Sequence, residues 1–371
     1  MILLKTKGVA NNITDAMIAK IVSDKDVSER ICFSPSTNSS VTLTTSEFVT
    51  SLDGNSQIIS RIPALTHIEQ GDIVLIRPDG AIYTLFRIKS DHNSLFVTER
   101  CNSNCIMCSQ PPRDRDDLYY FFEINTQLLN MLPSTTQELG ITGGEPTLLG
   151  KRFISLLEMI TDRLPHTNIH VLTNGRSFAW KNIPYKISKV NNPRIVYGIP
   201  LYSDYYLQHD FIVQAKDAFN QTVIGLHNMA HQCLRLELRV VLHNQTYQRL
   251  PALAKYVFKN FPFLEHIALM GLEYTGYTPR NHDLLWVEYN KYASELEEAI
   301  FYLDQMGMNV SIYNVQLCLL KPTLWSFARN SVSDWKKVYL QECQRCNLLS
   351  ECCGVFSTSK KQSNEIKAIL S

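Results

Sequence analysis

What the sequence lacks narrows it first. No stretch approaches eighteen uninterrupted apolar residues, and the opening MILLKTKGVANN holds an apolar run far too short for a signal-peptide core. These absences predict a soluble, cytoplasmic protein with no membrane partner. An excess of one charge sign is missing too: 36 Lys and Arg stand against 35 Asp and Glu, a net charge of +1, so the totals give no electrostatic reason to bind nucleic acid. Repeats and low-complexity tracts are absent. Charged residues are only 19% while hydrophobic ones reach 45%, which excludes a disordered chain and supplies a sizeable core.

The 371 residues exceed one small module, so one large domain with smaller additions at its ends is expected. Ten cysteines without a secretion signal point to metal ligation or catalysis, because cytosolic thiols are kept reduced. Their clustering carries the information. Cys101, Cys105 and Cys108 share one short stretch, Cys343, Cys346, Cys352 and Cys353 another, and Cys32, Cys233 and Cys318 stand apart.

The first ninety-odd residues are rich in Ser and Thr, then give two apolar runs, 71–77 and 81–87, around Pro78-Asp79-Gly80. That pattern reads as a β-hairpin, and residues 1–93 as a small β-rich domain. From about residue 95 short apolar runs alternate with amphipathic stretches. Strands are expected at 94–98, 138–142, 168–172, 195–201, 235–242 and 266–270, with helices such as 153–164, 209–218 and 250–258. Six such units imply an α/β fold: a parallel sheet with crossover helices, too few for a closed eight-stranded barrel and so an open, partial (β/α)6 barrel over 94–310. Residues 311–371 form a C-terminal extension.

Ligands of a parallel sheet gather in the loops at the carboxyl ends of its strands. Cys101-Asn-Ser-Asn-Cys105-Ile-Met-Cys108 follows the first strand and Gly143-Gly144-Glu145-Pro146 the second, so both face one mouth. Cuboidal iron–sulfur clusters normally take four cysteines, so three leave one iron without a protein ligand. A zinc site is the plainer alternative, with the C-terminal cysteines supplying the missing ligands. The Gly-Gly-Glu-Pro run taken alone is equally a tight turn.

These motifs together resemble the radical S-adenosylmethionine (SAM) superfamily. The resemblance implies a 4Fe-4S cluster on Cys101, Cys105 and Cys108 whose open iron chelates SAM, which is cleaved reductively to a 5′-deoxyadenosyl radical. It implies that Met107 packs near the adenine, and that Gly143, Gly144, Glu145 and Pro146 meet the methionyl end. The runs Val171–Gly175 and Tyr197–Asp204 match the third and fourth strands of that family. Many relatives carry a ribose-binding serine near Pro200, and proline cannot take that role. Asn174, Ser203 and Arg239 are candidate substitutes, against the plainer readings of Asn174-Gly175 as a turn and Arg239 as a partner for Glu237.

At the carboxyl end Cys318, Cys343, Cys346 and Cys352 are enough to close a second cluster completely, with Cys353 spare. Zinc on the same four thiols is the alternative. Trp325 and Trp335 are expected to pack around this site. His227, His231 and His243 are read as solvent-facing or hydrogen-bonded core histidines, and Tyr274 and Tyr277 as residues of a polar loop after the sixth strand.

More specifically, the run Phe96–Pro112, the run Ile141–Thr147, Leu324–Arg329 with Asp334-Trp335, and the tail cysteines resemble the His-Xaa-Ser system radical SAM maturases of the HxsC type, over about residues 70–357. In that family the tail usually reads Cys-Gly-Gly-Phe; here Cys353 replaces the first glycine, which leaves Cys352 and Cys353 as rival ligands. The resemblance implies maturation of a small ribosomal precursor peptide carrying His-Xaa-Ser repeats, a sister maturase as a further partner, and a low-potential donor such as flavodoxin or ferredoxin. The competing functions are a radical SAM enzyme acting on a small metabolite in cofactor biosynthesis, and a non-catalytic metal-stabilised binding or electron-transfer protein. The N-terminal domain is a candidate leader-peptide dock that would accept a strand along its edge.

Overall fold

The computed structural model describes residues 4–47 and 56–370, without the side chains of Lys25 and Asp26. Met1, Ile2 and Leu3 of the short opening run therefore lie outside the described residues.

The N-terminal part is all β: β1 (Lys5–Lys7), β2 (Val9–Asn11), β3 (Met17–Asp26), β4 (Glu29–Ser34), β5 (Ser39–Thr44), β6 (Gln57–Ser60), β7 (Ile73–Ile76) and β8 (Ala81–Phe86). They form one sheet in the order β1-β8-β7-β3-β4-β5-β6-β2. β1 and β2 are successive in the chain, yet they pair with β8 and β6 at opposite ends of the sheet, so one stretch closes it on itself. Gly8 lies at that seam, where a side chain would meet the Ile59 and Ile62 side chains at 2.6 and 2.8 Å. With β1 and β2 at its two ends, the sheet's edge strands are each three residues long among the described residues.

The hairpin forms where the sequence predicts it. β7 and β8 pair antiparallel, Gly80 turns at φ +81°, and the Asp79 carboxylate accepts from the Ala81 amide at 3.2 Å. Val74 and Ile76 join a core with Cys32, Val41 and Leu43. Ile73 and Leu75, on the other face, belong to the larger core that holds Leu95 and Leu128. A strand buried on both faces has no polar alternation, which explains its unbroken apolar run.

The main sheet is parallel throughout, in chain order: β9 (Ser94–Phe96), β10 (Glu138–Thr142), β11 (Asn168–Leu172), β12 (Ile195–Pro200), β13 (Arg235–Leu242), β14 (His266–Gly271), β15 (Val310–Tyr313) and β16 (Ala328–Arg329). Six strands were expected and eight are present. The added pair is only four and two residues long, too short to give a periodic signal. The helices are α1 (Leu118–Leu129), α2 (Lys151–Arg163), α3 (Asn182–Ser188), α4 (Tyr206–Val213), α5 (Ala218–His231), α6 (Leu250–Asn260), α7 (His282–Leu285) and α8 (Ala293–Gln305). In α2 the buried residues are Phe153, Leu156, Leu157 and Ile160, and in α8 Leu296, Ala299, Ile300 and Leu303. This i, i+3, i+4, i+7 stripe sets each helix against the sheet, roughly 2 kcal/mol for each large apolar side chain buried.

The single helix expected over 209–218 is two. Gln214 (φ +53°) and Asp217 (φ +61°) break it, because the Asp210 carboxylate accepts from the Asp217 and Phe219 amides at 2.7 and 2.8 Å and starts α5 anew.

Alternation along the strands sorts two environments. Leu139, Ile141, Ile169, Val171, Tyr197, Ile199, Leu236, Leu238, Ile267 and Ile312 form the core beneath the helices. The intervening residues, on the concave side, include many small or polar ones, Gly140, His170, Gly198, Glu237, Arg239, His266, Ala268 and Ser311, beside the apolar Leu172, Val196, Val241 and Met270. The lumen is therefore of mixed character, with a charged cluster among apolar side chains. Among the described residues no helix is long and apolar enough to cross a membrane.

Candidate functional site

The cysteine loop leaves β9 and is held from four sides. At its entry Thr98 Oγ1 donates to Asp117 at 2.6 Å and the Glu99 amide donates to the same carboxylate at 2.7 Å. From β10, the Gly144 amide donates to the Thr98 carbonyl (2.7 Å) and the Glu145 amide to the Arg100 carbonyl (2.8 Å). From α4, the Val213 and Ile212 carbonyls accept from the Asn104 and Ile106 amides at 3.0 and 2.9 Å. From the loop after β14, the Tyr277 amide donates to the Cys108 carbonyl (2.9 Å) and Asn281 Nδ2 to the Ile106 carbonyl (2.6 Å).

The Gly-Gly-Glu-Pro run is built for this docking. A Cβ on Gly144 would collide with the Arg100 carbonyl, and one on Gly143 would stand 2.6 Å from the Thr98 carbonyl. Both glycines thus let the β10 loop press against the strand that delivers Cys101. Pro146 opens a buried 3-10 turn. Glu145 is fully buried: its Oε1 accepts from the Thr147 amide (3.0 Å), Thr147 Oγ1 (2.7 Å) and Thr173 Oγ1 (2.7 Å), and its Oε2 from the Asn174 amide (2.7 Å). Its carboxylate ties the β10 loop to the β11 loop.

Asn174 in turn reaches the cysteines: its Nδ2 donates to Asn102 Oδ1 at 2.5 Å and lies 3.9 Å from Cys101 Sγ. Two residues on, Arg176 clamps the same loop, donating to the Asn102 carbonyl and to Ser103 Oγ (3.1 Å) while Gln221 accepts from its Nε (2.7 Å). Arg176 was missed in the sequence, where a lone arginine after Asn-Gly carries no signal. Met107 is buried with Ile106, Tyr202, Ile212, Val213 and Leu285 beneath the loop. Burial pushes the Cys101 thiol up to about 11, with the Glu145 carboxylate adding to it. Cys105 and Cys108 are raised first by burial, and Cys105 also by the other two cysteines.

Ser203 and Arg239 sit deeper. Ser203 Oγ donates to Gln208 Oε1 at 2.8 Å and accepts from the Tyr205 amide, organising the start of α4. Arg239 donates to Glu237 at 2.8 Å, the plainer of its two readings, and Pro200 is its register partner on β12. Glu237 also lies 2.8 Å from His266 Nδ1 and 3.3 Å from His170 Nε2. Burial would raise this carboxyl, but those three cationic or donor groups hold it well below the usual range. A Cβ on Gly198 would crowd His170 Nε2 at 2.8 Å, so glycine there leaves room for the cluster.

At the other end of the chain Cys318, Cys343, Cys346 and Cys352 line one hollow, with Leu317, Tyr339 and Ile369. Cys353 does not line that hollow: it is 2% exposed and packs with Val332 and Phe356, while its side chain hydrogen-bonds that of Cys352. Among the described residues no three His, Cys, Asp or Glu side chains converge tightly enough to hold one metal ion. A zinc site would bring four sulfurs within about 2.3 Å of a single atom. A cluster would spread the same sulfurs over different irons, and four thiols lining one hollow suit either group. Trp325 braces this region by donating to the Leu317 carbonyl at 3.0 Å. His227 meets Phe261 and Phe263 in tilted and edge-on ring contacts, and His243 is buried, as the plain readings had it.

The Radical SAM superfamily model matches residues 95–257. Among solved structures, the chain is similar to Streptococcus suis SuiB bound to S-adenosylmethionine, at 14% identity over 59% of this chain and 49% of that one, with a TM-score of 0.46. It is similar also to native anSMEcpe with bound AdoMet and Cp18Cys peptide, at 17% identity over 59% and 62%, with a TM-score of 0.43. The chain thus spans about half the length of SuiB. No protein of curated function matches it. The stretch that matches the Radical SAM superfamily model runs from β9 to α6 and carries both the three-cysteine loop and the glycine-rich turn pressed against it.

Proposed function

We propose that this protein is a radical SAM maturase of the HxsC type that modifies a small ribosomal precursor peptide. The observation that carries the reading is the trio of thiols at the mouth of the lumen, beside a carboxylate, Glu145, whose oxygens are already held by Thr and Asn donors. Cys101, Cys105 and Cys108 would hold the cluster and leave one iron for SAM. When bound, that pair supplies reductive cleavage to a 5′-deoxyadenosyl radical. The chain's own work is to fix the loop: Gly144, Asn174, Arg176, Tyr277 and Asn281 hold it from three sides. Met107 offers an apolar floor, and Arg239, steadied by Glu237, faces the lumen.

The peptide reading rests on the segments that resemble the maturases and on their positions. Asp334 of the Asp-Trp pair accepts from Arg87 (2.6 Å) and Ser90 (2.8 Å), joining the tail to the linker between the N-terminal domain and β9. A hollow opens at the carboxyl ends of β13, β14 and β15, walled by Trp286, Tyr289, Tyr292 and Asn314 and roofed by Phe356 and Gln362 of the tail. A peptide side chain held there would lie beside the tail-cysteine hollow, since Gln316 lines both. In this reading residues 1–93, 94–310 and 311–371 divide the tasks of support, radical generation and electron relay, the last through an auxiliary 4Fe-4S cluster on Cys318, Cys343, Cys346 and Cys352.

Coexpression with a candidate His-Xaa-Ser repeat peptide, followed by mass spectrometry, tests it. A mass change in the peptide that depends on Cys105 is expected. An unaltered peptide together with turnover of a small metabolite would overturn it.

A further inference from the structure

The segment after the last cysteine does more than trail off. From Thr358 it runs back over the barrel mouth: Thr358 Oγ1 donates to Glu273 at 2.5 Å, and Ser359 Oγ accepts from the Tyr274 amide at 2.9 Å. Ser363 Oγ donates to Glu288 at 2.6 Å, and Glu365 accepts from the Asn290 amide at 3.2 Å. Lys361 lies over the Trp286 ring at 4.8 Å. The chain then descends onto the tail cysteines. Ile366, Lys367 and Ile369 complete the wall of their hollow, and Ile366 is 8% exposed. The Ile369 amide donates to Cys346 Sγ at 3.4 Å, and its carbonyl accepts from the Asn347 amide at 2.9 Å, one residue beyond that ligand. The Lys367 amide likewise faces the Cys318 sulfur.

We propose that Ile366–Ile369 are a built part of the tail metal site, a cap that closes its outer side and hydrogen-bonds its ligand sulfurs. The inference rests on reading the four cysteines as a cluster site. Amide donors to ligand sulfurs stabilise the more negative, reduced cluster and raise its potential, and an apolar cover slows loss of iron to water. A capped four-thiolate cluster offers no open iron, so its chemistry is electron transfer and not substrate binding. The anchors on Glu273, Tyr274 and Glu288 belong to the loops flanking the barrel mouth, which fixes the cap to the domain that generates the radical.

The test uses the anaerobically reconstituted full chain beside three variants: a chain ending at Asn364, Ile369→Pro and Ile369→Ala. The tail cluster is the electron paramagnetic resonance signal that SAM leaves unmoved. The shortened chain is expected to release its tail iron to a chelator about ten- to a hundredfold faster. Ile369→Pro, which lacks the N–H, is expected to titrate at a more negative potential than Ile369→Ala, which keeps it. Unchanged release and equal potentials in an unaltered chain that does carry a second cluster would overturn the cap alone. An unaltered chain with iron for only one cluster would overturn the tail-cluster reading and the cap with it.

Discussion

At the scale of single residues, the site is braced by side chains that hold one another. Glu145 is the clearest: four donors from two loops converge on a fully buried carboxylate. Glu145→Ala would strand the Thr173 hydroxyl and the Asn174 amide in a buried setting, costing about 3 kcal/mol of stability by denaturant titration. A loss near zero would contradict the role given to it. His243 makes a pH prediction. Burial lowers its pKa from 6.5 to about 3, so the folded chain keeps it neutral where the unfolded chain binds a proton. Stability is then fully present above about pH 6.5 and declines as pH falls, by about 2 kcal/mol at pH 5. His243→Asn should remove that part of the slope between pH 7 and pH 5, and an unchanged slope would refute the assignment.

At the scale of elements, the main strands were legible because apolar runs of five to eight residues bounded by polar loops announce themselves. Glu138–Thr142, Asn168–Leu172 and Arg235–Leu242 fall where the sequence puts them. β15 and β16 did not, being held by neighbours more than by their own pattern. The Asp210 cap that splits α4 from α5 was hidden because a capping carboxylate looks like any polar residue on an amphipathic face. The loop after β14 was underrated for a related reason: its contacts with the cysteine loop are main-chain bonds, which sequence does not display. Gly276 marks the contact, at φ +60°, with a Cβ there set to collide with the Cys108 carbonyl. Gly276→Val should broaden the SAM-induced change in the first cluster's resonance signal while leaving the tail signal in place. An unaltered first signal would show that this loop does not brace Cys108.

At the scale of the whole molecule, three motifs far apart in sequence meet because a parallel sheet delivers every strand's carboxyl end to one side. That made the Cys101 loop and the Gly143–Pro146 turn readable as one site before any coordinates. Their packing was not readable: the glycines let the two loop backbones dock, and Ser203 organises the start of α4. The closed N-terminal sheet and the tail are joined to the barrel by Asp334 and by the strap over Glu273 and Glu288. The central claim is that three thiols leave one iron open to SAM, and the most direct measurement is the yield of 5′-deoxyadenosine from SAM by dithionite-reduced, anaerobically reconstituted protein. The account predicts its formation by the unaltered chain and its disappearance in Cys101→Ala, Cys105→Ala and Cys108→Ala. No 5′-deoxyadenosine from fully iron-loaded protein, or equal amounts from the three variants, would contradict it.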